Sequence, residues 1–426
     1  MQMTMNNENV KLNIKSKYYA LDFLIGLFLA LSTLFIGADK IGINAGVNFR
    51  LDQLFLVITS LLMIIRNRFK ITKNKWIFLF LFFSLISTIL SYSVTRGILF
   101  YLSIVYNVVF VFYLYSNFIK YYGPKKFMRI FRWTMYVQFL IVLTQFLLKT
   151  VFSYELSFLP SYGTYMGINR FSLWFYEPSY FATYVSIWFT IAFYMFLIGG
   201  NKGYIKDIIM ALIMFIISTS TSGFIAIALS IFIIYLLWIK KRITVKKLLF
   251  LLIIVIIAMA LVFIFKDIFD TFIGRIFNSS LDSASGGRIT QWIETFEVFK
   301  EKPFFGVGPG NYGLYLNKGA GYVPSNVTLE LMATLGIFAT ISFYGLSIHL
   351  SYKMLRIYRR DRRMKLYACV VLSLLVFTIV LQINQGYLRL YHWMLLGVMQ
   401  GMILYYNKNY KVRSVNCYEG NCISRR

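Results

Sequence analysis

The residues best suited to chemistry are eight ionisable side chains that the predicted topology places at the outer face of the membrane. Charged groups at membrane depth are costly, so those that occur there tend to serve a function. Arginine stays charged and matches phosphate oxygens, whereas a carboxylate or an imidazole can accept a proton. These residue types predict a site that binds an anion and moves a proton, and the candidates are Arg170, Glu177, Arg275, Arg288, Glu294, Glu330, Arg389 and His392.

Glu177 is the first candidate for a general base. It precedes Pro178 at the start of a predicted helix, where proline costs no hydrogen bond and the positive helix end favours an anion. Arg170, seven residues earlier, is an available counter-charge. The alternatives are an ordinary capping carboxylate for Glu177 and a surface role for Arg170.

Glu330 and His392 are the other candidates for proton transfer. Asn326 and Glu330 are four residues apart near a predicted helix start, so they share one helix face. A carboxylate at this depth is expected to face the protein interior, either in a functional role or in a structural polar pair. His392 opens the last predicted helix together with Arg389, where it is either a base or an interface residue.

A predicted amphipathic helix begins at Arg288. Trp292, Phe296 and Phe299 follow at helical spacing and form one apolar stripe, and Pro303 ends the helix. The stripe would rest either on the bilayer surface or on the helix bundle. Arg288 is a candidate anion ligand because its planar guanidinium matches phosphate oxygens, and a plain surface charge is the alternative.

Composition and apolar runs predict the class of protein. Of the 426 residues, 59% are hydrophobic and 14% are charged, which is more apolar side chain than a water-soluble domain of this size can bury. A run of roughly 20 apolar residues crosses a ~30 Å hydrocarbon core as a helix. We therefore expect an all-α polytopic membrane protein with about 12 transmembrane helices, at 19–37, 50–65, 76–93, 98–119, 129–151, 178–198, 205–219, 222–239, 247–266, 325–348, 366–383 and 389–406.

The charge distribution predicts sidedness. The formal net charge is +28, and 32 of the 44 Lys and Arg residues fall in segments that are cytoplasmic if the N-terminus is inside. Cytoplasmic loops carry such an excess, so we attribute the charge to topology and not to nucleic-acid binding. The predicted organisation is a cytoplasmic segment 1–18, one membrane domain 19–406 and a basic cytoplasmic tail 407–426, with outer loops at 152–177 and 267–324.

No metal or cofactor is predicted. Cys369, Cys417 and Cys422 form no Cys-x-x-Cys pair. The glycine-rich stretch 306–313 lacks the Gly-Lys-Ser/Thr ending of a phosphate-binding loop. The site is therefore expected to work through side chains alone.

Three segments resemble the bacterial O-antigen ligase/polymerase superfamily of polytopic glycosyltransferases. The strongest segment comprises Arg288, Trp292, Pro303, Gly306-Val-Gly308, Ser325-Asn326, Glu330 and Leu335-Gly336-Ile337. The second is Asn169-Arg170-Phe171 with Glu177-Pro178-Ser179, which is similar to a polymerase signature. The third is Ser218-Thr-Ser-Thr-Ser222-Gly223, at a turn that is Leu-Thr-x-Ser-Arg-Gly in many members.

The resemblance implies a GT-C-like architecture and a metal-independent glycan transfer at the outer leaflet of the bacterial cytoplasmic (inner) membrane. Undecaprenyl-diphosphate-linked oligosaccharides would be the substrates, and a chain-length regulator and a flippase would be further partners. Glu177, Glu330 or His392 would be the base. Trp292 would contact the substrate, and Asn326 would orient either a sugar or the base. The cations for the departing diphosphate would be Arg170, Arg275, Arg288 and Arg389.

Two positions depart from the family pattern. Ser325 stands where the family has histidine, and Ser222 stands where the turn before Gly223 has arginine. Because ligase-like members are proposed to use both residues, we expect a polymerase that joins repeat units into O-antigen, capsule or exopolysaccharide. A ligase-type glycan transferase is the first alternative. A flippase or transporter is the second, although the paired halves and broken midplane helices typical of transporters are not evident in the sequence.

Overall fold

A computed structural model describes residues 19–44, 48–156, 159, 161, 163–165, 168–239 and 287–411. Two short antiparallel hairpins, β1 Gly42–Asn44 with β2 Asn48–Arg50 and β3 Thr164–Tyr165 with β4 Ile168–Asn169, accompany the helices. The helices are α1 Tyr19–Leu34, α2 Leu51–Ile65, α3 Lys75–Ile89, α4 Val94–Tyr106, α5 Leu114–Tyr122, α6 Pro124–Phe152, α7 Pro178–Leu197, α8 Ile205–Ser218, α9 Thr221–Ile239, α10 Arg288–Glu301, α11 Tyr312–Tyr315, α12 Val327–Arg360, α13 Lys365–Val380 and α14 Leu390–Tyr406.

The helices confirm a nearly all-helical, multi-pass membrane protein. Every predicted span that lies in the described residues coincides with a helix, and the predicted span 247–266 lies outside them. A π-helical segment, Asn107–Tyr113, joins α4 to α5 in one continuous run. The segments long and apolar enough to cross a membrane are Val94–Tyr122, Pro124–Phe152, Pro178–Leu197, Thr221–Ile239, Val327–Arg360 and Lys365–Ile383, and α1, α2 and α3 are shorter apolar helices.

Helix α7 lies at the centre of the bundle. In an apolar stretch of 18 residues within α7, 83% of the residues are buried inside the protein. The helix packs against α8, α9 and α13. Ala182 of α7 would lie only 3.1 Å from a Cβ added to Gly223, so the glycine at the start of α9 allows the two helices to approach closely. Helix α14 packs on α5 and the π-helical segment, and α12 packs on α3.

Helix α12 is broken at Gly336, whose φ of 78° and ψ of 177° are not helical. The turn that follows α10 fills the break. The N–H groups of Val307 and Gly308 donate to the carbonyls of Ala333 and Thr334, both at 2.9 Å. The Ile337 N–H donates to the Pro303 carbonyl at 2.9 Å, so the polar backbone exposed by the break is satisfied by protein, as the membrane interior requires.

Ion pairs and hydrogen bonds connect helices at the end of the bundle that is predicted to be cytoplasmic. Asp22 of α1 accepts hydrogen bonds from Arg66 and Arg68, each at 3.1 Å, and from the Tyr122 hydroxyl at 2.7 Å. Arg132 of α6 pairs with Asp207 of α8, whose side chain is fully buried. These contacts therefore join helices that are distant in sequence.

Candidate functional site

Asp39, in the connection between α1 and the first hairpin, bridges two arginines. Its Oδ1 lies 2.7 Å from Nη1 of Arg50, and its Oδ2 lies 2.7 Å from Nη1 of Arg389. The Tyr176 N–H also donates to Oδ2 at 3.3 Å. The three charged side chains are only 13% to 21% exposed, so this cluster is partly buried at one end of the bundle.

Local structure fixes both arginines. Arg50 ends β2, where it pairs with Gly42 across the hairpin, and it is also the N-cap of α2. The guanidinium of Arg389 stacks on the Tyr180 ring, with 3.7 Å between its central carbon and the ring centroid, a geometry that favours a cation. A Cβ on Gly386 would lie 2.5 Å from Cγ of Arg389, so the glycine leaves room for that side chain.

The connection from α13 to α14 carries Arg389 and is anchored to α7 and to the π-helical segment. Asn384 donates to the Thr183 hydroxyl of α7 at 3.2 Å, and Gln385 bonds the Tyr180 hydroxyl. The Leu388 carbonyl accepts from the Asn107 amide at 2.9 Å, at the start of the π-helical segment. Such π-helical insertions often occur beside functional sites.

Glu330 joins the site through the same connection. Its Oε2 accepts the Gly386 N–H at 3.1 Å, and the residue is 8% exposed in the first turn of α12. Asn326 caps that helix, since its Oδ1 accepts the N–H groups of Thr328 and Leu329 at 2.9 and 3.0 Å. Glu330 therefore faces the protein interior, and the side-chain oxygen of Asn326 is occupied by capping.

Glu177 is the N-cap residue of α7, as the sequence predicts, but its carboxylate does not cap the helix. It accepts the Ser179 hydroxyl at 3.0 Å and is half-buried. The Ser179 carbonyl accepts the Ser222 hydroxyl at 3.2 Å. This bond brings the Glu-Pro-Ser segment and the serine-rich turn together, although they are 43 positions apart.

Lys40 adds a third cation beside Asp39. Its ammonium donates to the Ser172 hydroxyl at 2.9 Å, and its N–H donates to the Trp174 carbonyl at 3.1 Å. Burial lowers the pKa of Lys40, and the neighbouring Asp39 offsets part of that shift. The N–H of Arg170 donates to the Gly163 carbonyl at 3.0 Å, and the Arg170 side chain is half-buried.

Arg288 is the first residue of α10, as predicted, and the buried face of this helix is Thr295 and Val298. In the predicted apolar stripe Phe296 is 43% exposed, while Trp292 and Phe299 are half-buried. The stripe therefore flanks the contact with α12 and does not form it. Within the described residues Trp292 Nε1 and Ser325 Oγ are buried without a hydrogen-bond partner.

The remaining sequence candidates lie apart from the cluster or outside the described residues. His392 is 1% exposed, and its ring lies 4.9 Å from the Phe343 ring and 5.2 Å from the Phe377 ring. Neither of its nitrogens has a hydrogen-bond partner in the described part of the chain. Glu294 binds Lys318 and Tyr322 in the segment predicted to be outside. Arg275 lies outside the described residues.

Sequence reasoning missed Asp39, Arg50, Lys40, Tyr180 and Gln385. The first three lie close to the ends of predicted spans, and the sequence pattern indicated no chemistry for them. One available signal was the sequence Arg50-Leu51-Asp52, which places a carboxylate inside an apolar span start. Asp52 is fully buried, and it accepts the Gly37 N–H at 2.9 Å and pairs with Arg50 at 3.3 Å. Among the residues described, no group of three His, Cys, Asp or Glu could hold a metal ion.

The fold and the cluster together define a multi-pass helical membrane protein with a partly buried arginine–carboxylate site at one end. Residues 208–344 match the family model described as O-antigen ligase. This match confirms the resemblance to the O-antigen ligase/polymerase superfamily. It spans about a third of the chain and includes α10, Asn326 and Glu330, but not Glu177 or Arg389. A search of curated proteins gives no match.

Proposed function

We propose that this protein is a glycosyltransferase that joins polyprenyl-diphosphate-linked oligosaccharide repeats into a polysaccharide at the outer leaflet of the cytoplasmic membrane. The observation that carries the proposal is an accessible carboxylate beside fixed cations. Glu177 is half-buried, and its neighbour Tyr176 donates its N–H to Asp39, which binds Arg50 and Arg389.

The chemistry needs these two kinds of group. A hydroxyl of one lipid-linked repeat attacks the anomeric carbon of the growing glycan, and the bond from that carbon to the diphosphate breaks. The hydroxyl proton passes to a carboxylate, for which we propose Glu177, with Glu330 as the second candidate. The departing diphosphate takes the electron pair of the broken bond and is stabilised by fixed cations.

The two carboxylates differ in access. Glu330 is 8% exposed and is held by the Gly386 N–H, so it suits a fixed supporting role beside Arg389. Glu177 is half-buried and binds only the rotatable hydroxyl of Ser179 among the described residues. That access is the reason for placing Glu177 first. His392, enclosed by aromatic rings, is the third candidate.

The decisive experiment is Glu177→Gln in cells that make the polymer. We expect long chains to disappear, with transfer falling about 100-fold or more because a positioned base contributes that much, while the protein stays inserted. Glu297→Gln is the matched control, since Glu297 lies on α10 with a side chain 56% exposed. Chain length unchanged by Glu177→Gln would refute this assignment of the base.

A ligase-type transferase is the second candidate because the matching family is described as O-antigen ligase. Ser325 and Ser222 replace residues expected of a ligase, and this supports the polymerase. Deleting the gene separates the two activities. Loss of a polymerase leaves single repeats on the lipid, whereas loss of a ligase leaves chains of normal length that are not attached to their acceptor.

The broken helix α12 supports a flippase or transporter less well than it supports a glycan transferase. In transporters the ends of a broken helix bind the substrate, whereas here the turn from Pro303 to Gly308 occupies the break. Repeats that accumulate on the outer leaflet after gene deletion support a polymerase. Repeats that accumulate on the inner leaflet would support a flippase.

A further inference from the structure

Four lysines lie around two adjacent tyrosines, Tyr121 and Tyr122, at the end of the bundle predicted to be cytoplasmic. The ammonium groups of Lys120 and Lys408 lie 5.3 and 5.0 Å from the centroid of the Tyr121 ring. The Lys126 ammonium lies 4.6 Å from the centroid of the Tyr122 ring. Lys70 is the fourth, and both Lys70 and Lys408 are close enough to Lys120 for their charges to repel it. We call these four residues the lysine cluster.

The positive charge of the lysine cluster is not balanced by carboxylates. Each carboxylate described at this end of the bundle binds an arginine: Asp22 binds Arg66 and Arg68, Asp207 binds Arg132, and Asp361 binds Arg363. Within the described part of the chain, the charges that act on Lys120 are the like charges of Lys70 and Lys408. Like charges held together in this way favour an anionic ligand that neutralises them.

Folding brings the four lysines together from separate parts of the chain. The carbonyl of Lys70, in the connection from α2 to α3, accepts the Asn117 amide of α5 at 2.9 Å. The turn from α5 to α6 packs on the end of α14, since a Cβ on Gly123 would lie 3.2 Å from the Tyr405 ring. Lys408 follows α14 directly. The backbone that carries the cluster is therefore fixed by contacts between elements.

We propose that the lysine cluster binds the phosphate headgroup of an anionic phospholipid in the leaflet at this end of the bundle. The cluster lies where membrane helices end, and its half-buried tyrosines are typical of the boundary between lipid and water. Lysine stems follow apolar surface while their ammonium groups reach the headgroup region. Basic pockets between membrane helices on the cytoplasmic side bind anionic headgroups, and a lipid reaches such a site by lateral diffusion.

Topology alone does not explain the cluster. An excess of lysine and arginine in cytoplasmic segments requires only that the charges lie on one side of the membrane. Lys73 and Lys125 meet that requirement as exposed side chains, and neither is among the lysines found over a tyrosine ring in the described residues. The convergence of like charges on Tyr121 and Tyr122 is the additional feature that a bound anion accounts for.

Titration with phosphatidylglycerol tests the proposal on the full-length protein in detergent micelles, with bound lipid counted by native mass spectrometry. Phosphatidylcholine is the reference lipid, since it carries the same phosphate without net charge. We expect phosphatidylglycerol to bind at least tenfold more tightly. Lys120→Gln combined with Lys408→Gln should weaken phosphatidylglycerol binding about tenfold or more, because each lysine beside an anionic headgroup attracts it, and should leave phosphatidylcholine binding unchanged.

Lys73→Gln combined with Lys125→Gln is the matched control, because it removes the same charge at the same end of the bundle. We expect this pair to bind phosphatidylglycerol like the wild type. Equal weakening by both pairs would mean that net charge alone attracts the lipid, and it would overturn the proposal, as would wild-type binding by both. Melting temperatures in phosphatidylcholine are measured in parallel. If the first pair does not fold, the single variant Lys408→Gln, whose native side chain is exposed, decides by the same criteria.

Competition separates a lipid headgroup from other anions. Inorganic phosphate at the concentration of the lipid should not displace phosphatidylglycerol, because the acyl chains also bind along the helices. Displacement by inorganic phosphate would assign the cluster to a soluble anion, and displacement by a polyglutamate peptide would assign it to an acidic protein partner. Either result would overturn the lipid assignment. Neither bears on glycan transfer, which Glu177→Gln tests separately.

Discussion

At the residue scale, the candidate site divides into side chains that local sequence predicts and side chains that only folding brings together. Glu177 before Pro178 is predicted as a helix start, and the structure places it as the N-cap of α7. Arg288 likewise begins α10. Both helix starts are determined by residues within one helical turn, and these residues can be read directly from the sequence.

The Asp39–Arg389 pair could not be predicted in this way. Its members are 350 positions apart, and nothing in the local pattern of either residue specifies the other. The order of the helices around α7 determines their contact. In the sequence, Asp39 is one charged residue near the end of a predicted span. Its bridge between Arg50 and Arg389 forms only when α2, α7 and α14 pack together.

Gly386 offers a test of whether the position of Arg389 matters. Its φ is 135°, and a Cβ at this position would lie 2.5 Å from Cγ of Arg389, so Gly386→Ala should push the guanidinium away from Tyr180. We expect at least a tenfold loss of polymer with a modest loss of stability, about 1–3 kcal/mol. Chain-length analysis and size-exclusion profiles measure the two effects.

The matched control is Gly321→Ala in the segment predicted to be outside. A Cβ at Gly321 meets no atom within 4 Å, so polymer length and yield should equal those of the wild type. If both alanine variants are equally active, the orientation of Arg389 is not required for the reaction.

At the element scale, apolar length predicts the helices well and their interruptions poorly. Helices form wherever the chain must cross lipid, because only a closed backbone is tolerated there. Gly336 lies between Leu335 and Ile337 in an apolar stretch, which is compatible with an uninterrupted helix. The break appears because the turn through Gly306 and Gly308 approaches the backbone of α12, a tertiary contact that hydropathy does not reveal.

The break predicts a large cost for a side chain at Gly336. A Cβ there would lie 2.1 Å from the Phe304 carbonyl oxygen, and the positive φ is strained for alanine. We expect Gly336→Ala to destabilise the protein by about 3 kcal/mol or more, measured by thermal unfolding in detergent.

Gly26→Ala is the control at the same scale. Gly26 lies inside α1, and a Cβ there meets nothing within 4 Å. Alanine in a helix interior should be neutral or stabilising by about 0.5–1 kcal/mol. Equal melting temperatures for the two alanine variants would mean that the turn from Pro303 to Gly308 does not pack closely against Gly336 of α12 in the membrane.

At the scale of the whole molecule, composition and hydropathy were sufficient for the class of protein. The match of residues 208–344 to the O-antigen ligase family agrees with the motifs around Arg288 and Glu330. The number of spans and the side on which the site lies rest on the charge pattern, and the predicted span 247–266 falls outside the described residues. These two predictions therefore need a direct measurement.

Cysteine labelling tests sidedness in a background where Cys417 and Cys422 are replaced by serine. Lys318→Cys lies in the segment predicted to be outside, and Arg363→Cys in a predicted cytoplasmic connection; the native side chains are 41% and 92% exposed. A membrane-impermeant maleimide added to intact cells should label only Lys318→Cys, and both after permeabilisation. The reverse pattern would invert the topology and place the arginine–carboxylate site inside.

The turn from Pro303 to Gly308, which fills the break in α12, has a consequence for how the protein can evolve. Arg96 of α4 holds the next part of the chain, donating to the carbonyls of Gly310 at 2.5 Å and Ala320 at 2.7 Å. Both bonds are made to backbone carbonyls, so they hold the two ends of this segment without using its side chains. Exposed positions between them, such as Lys318, can therefore change without loss of these two bonds, so the surface of this segment can diverge while the packing around the α12 break is retained.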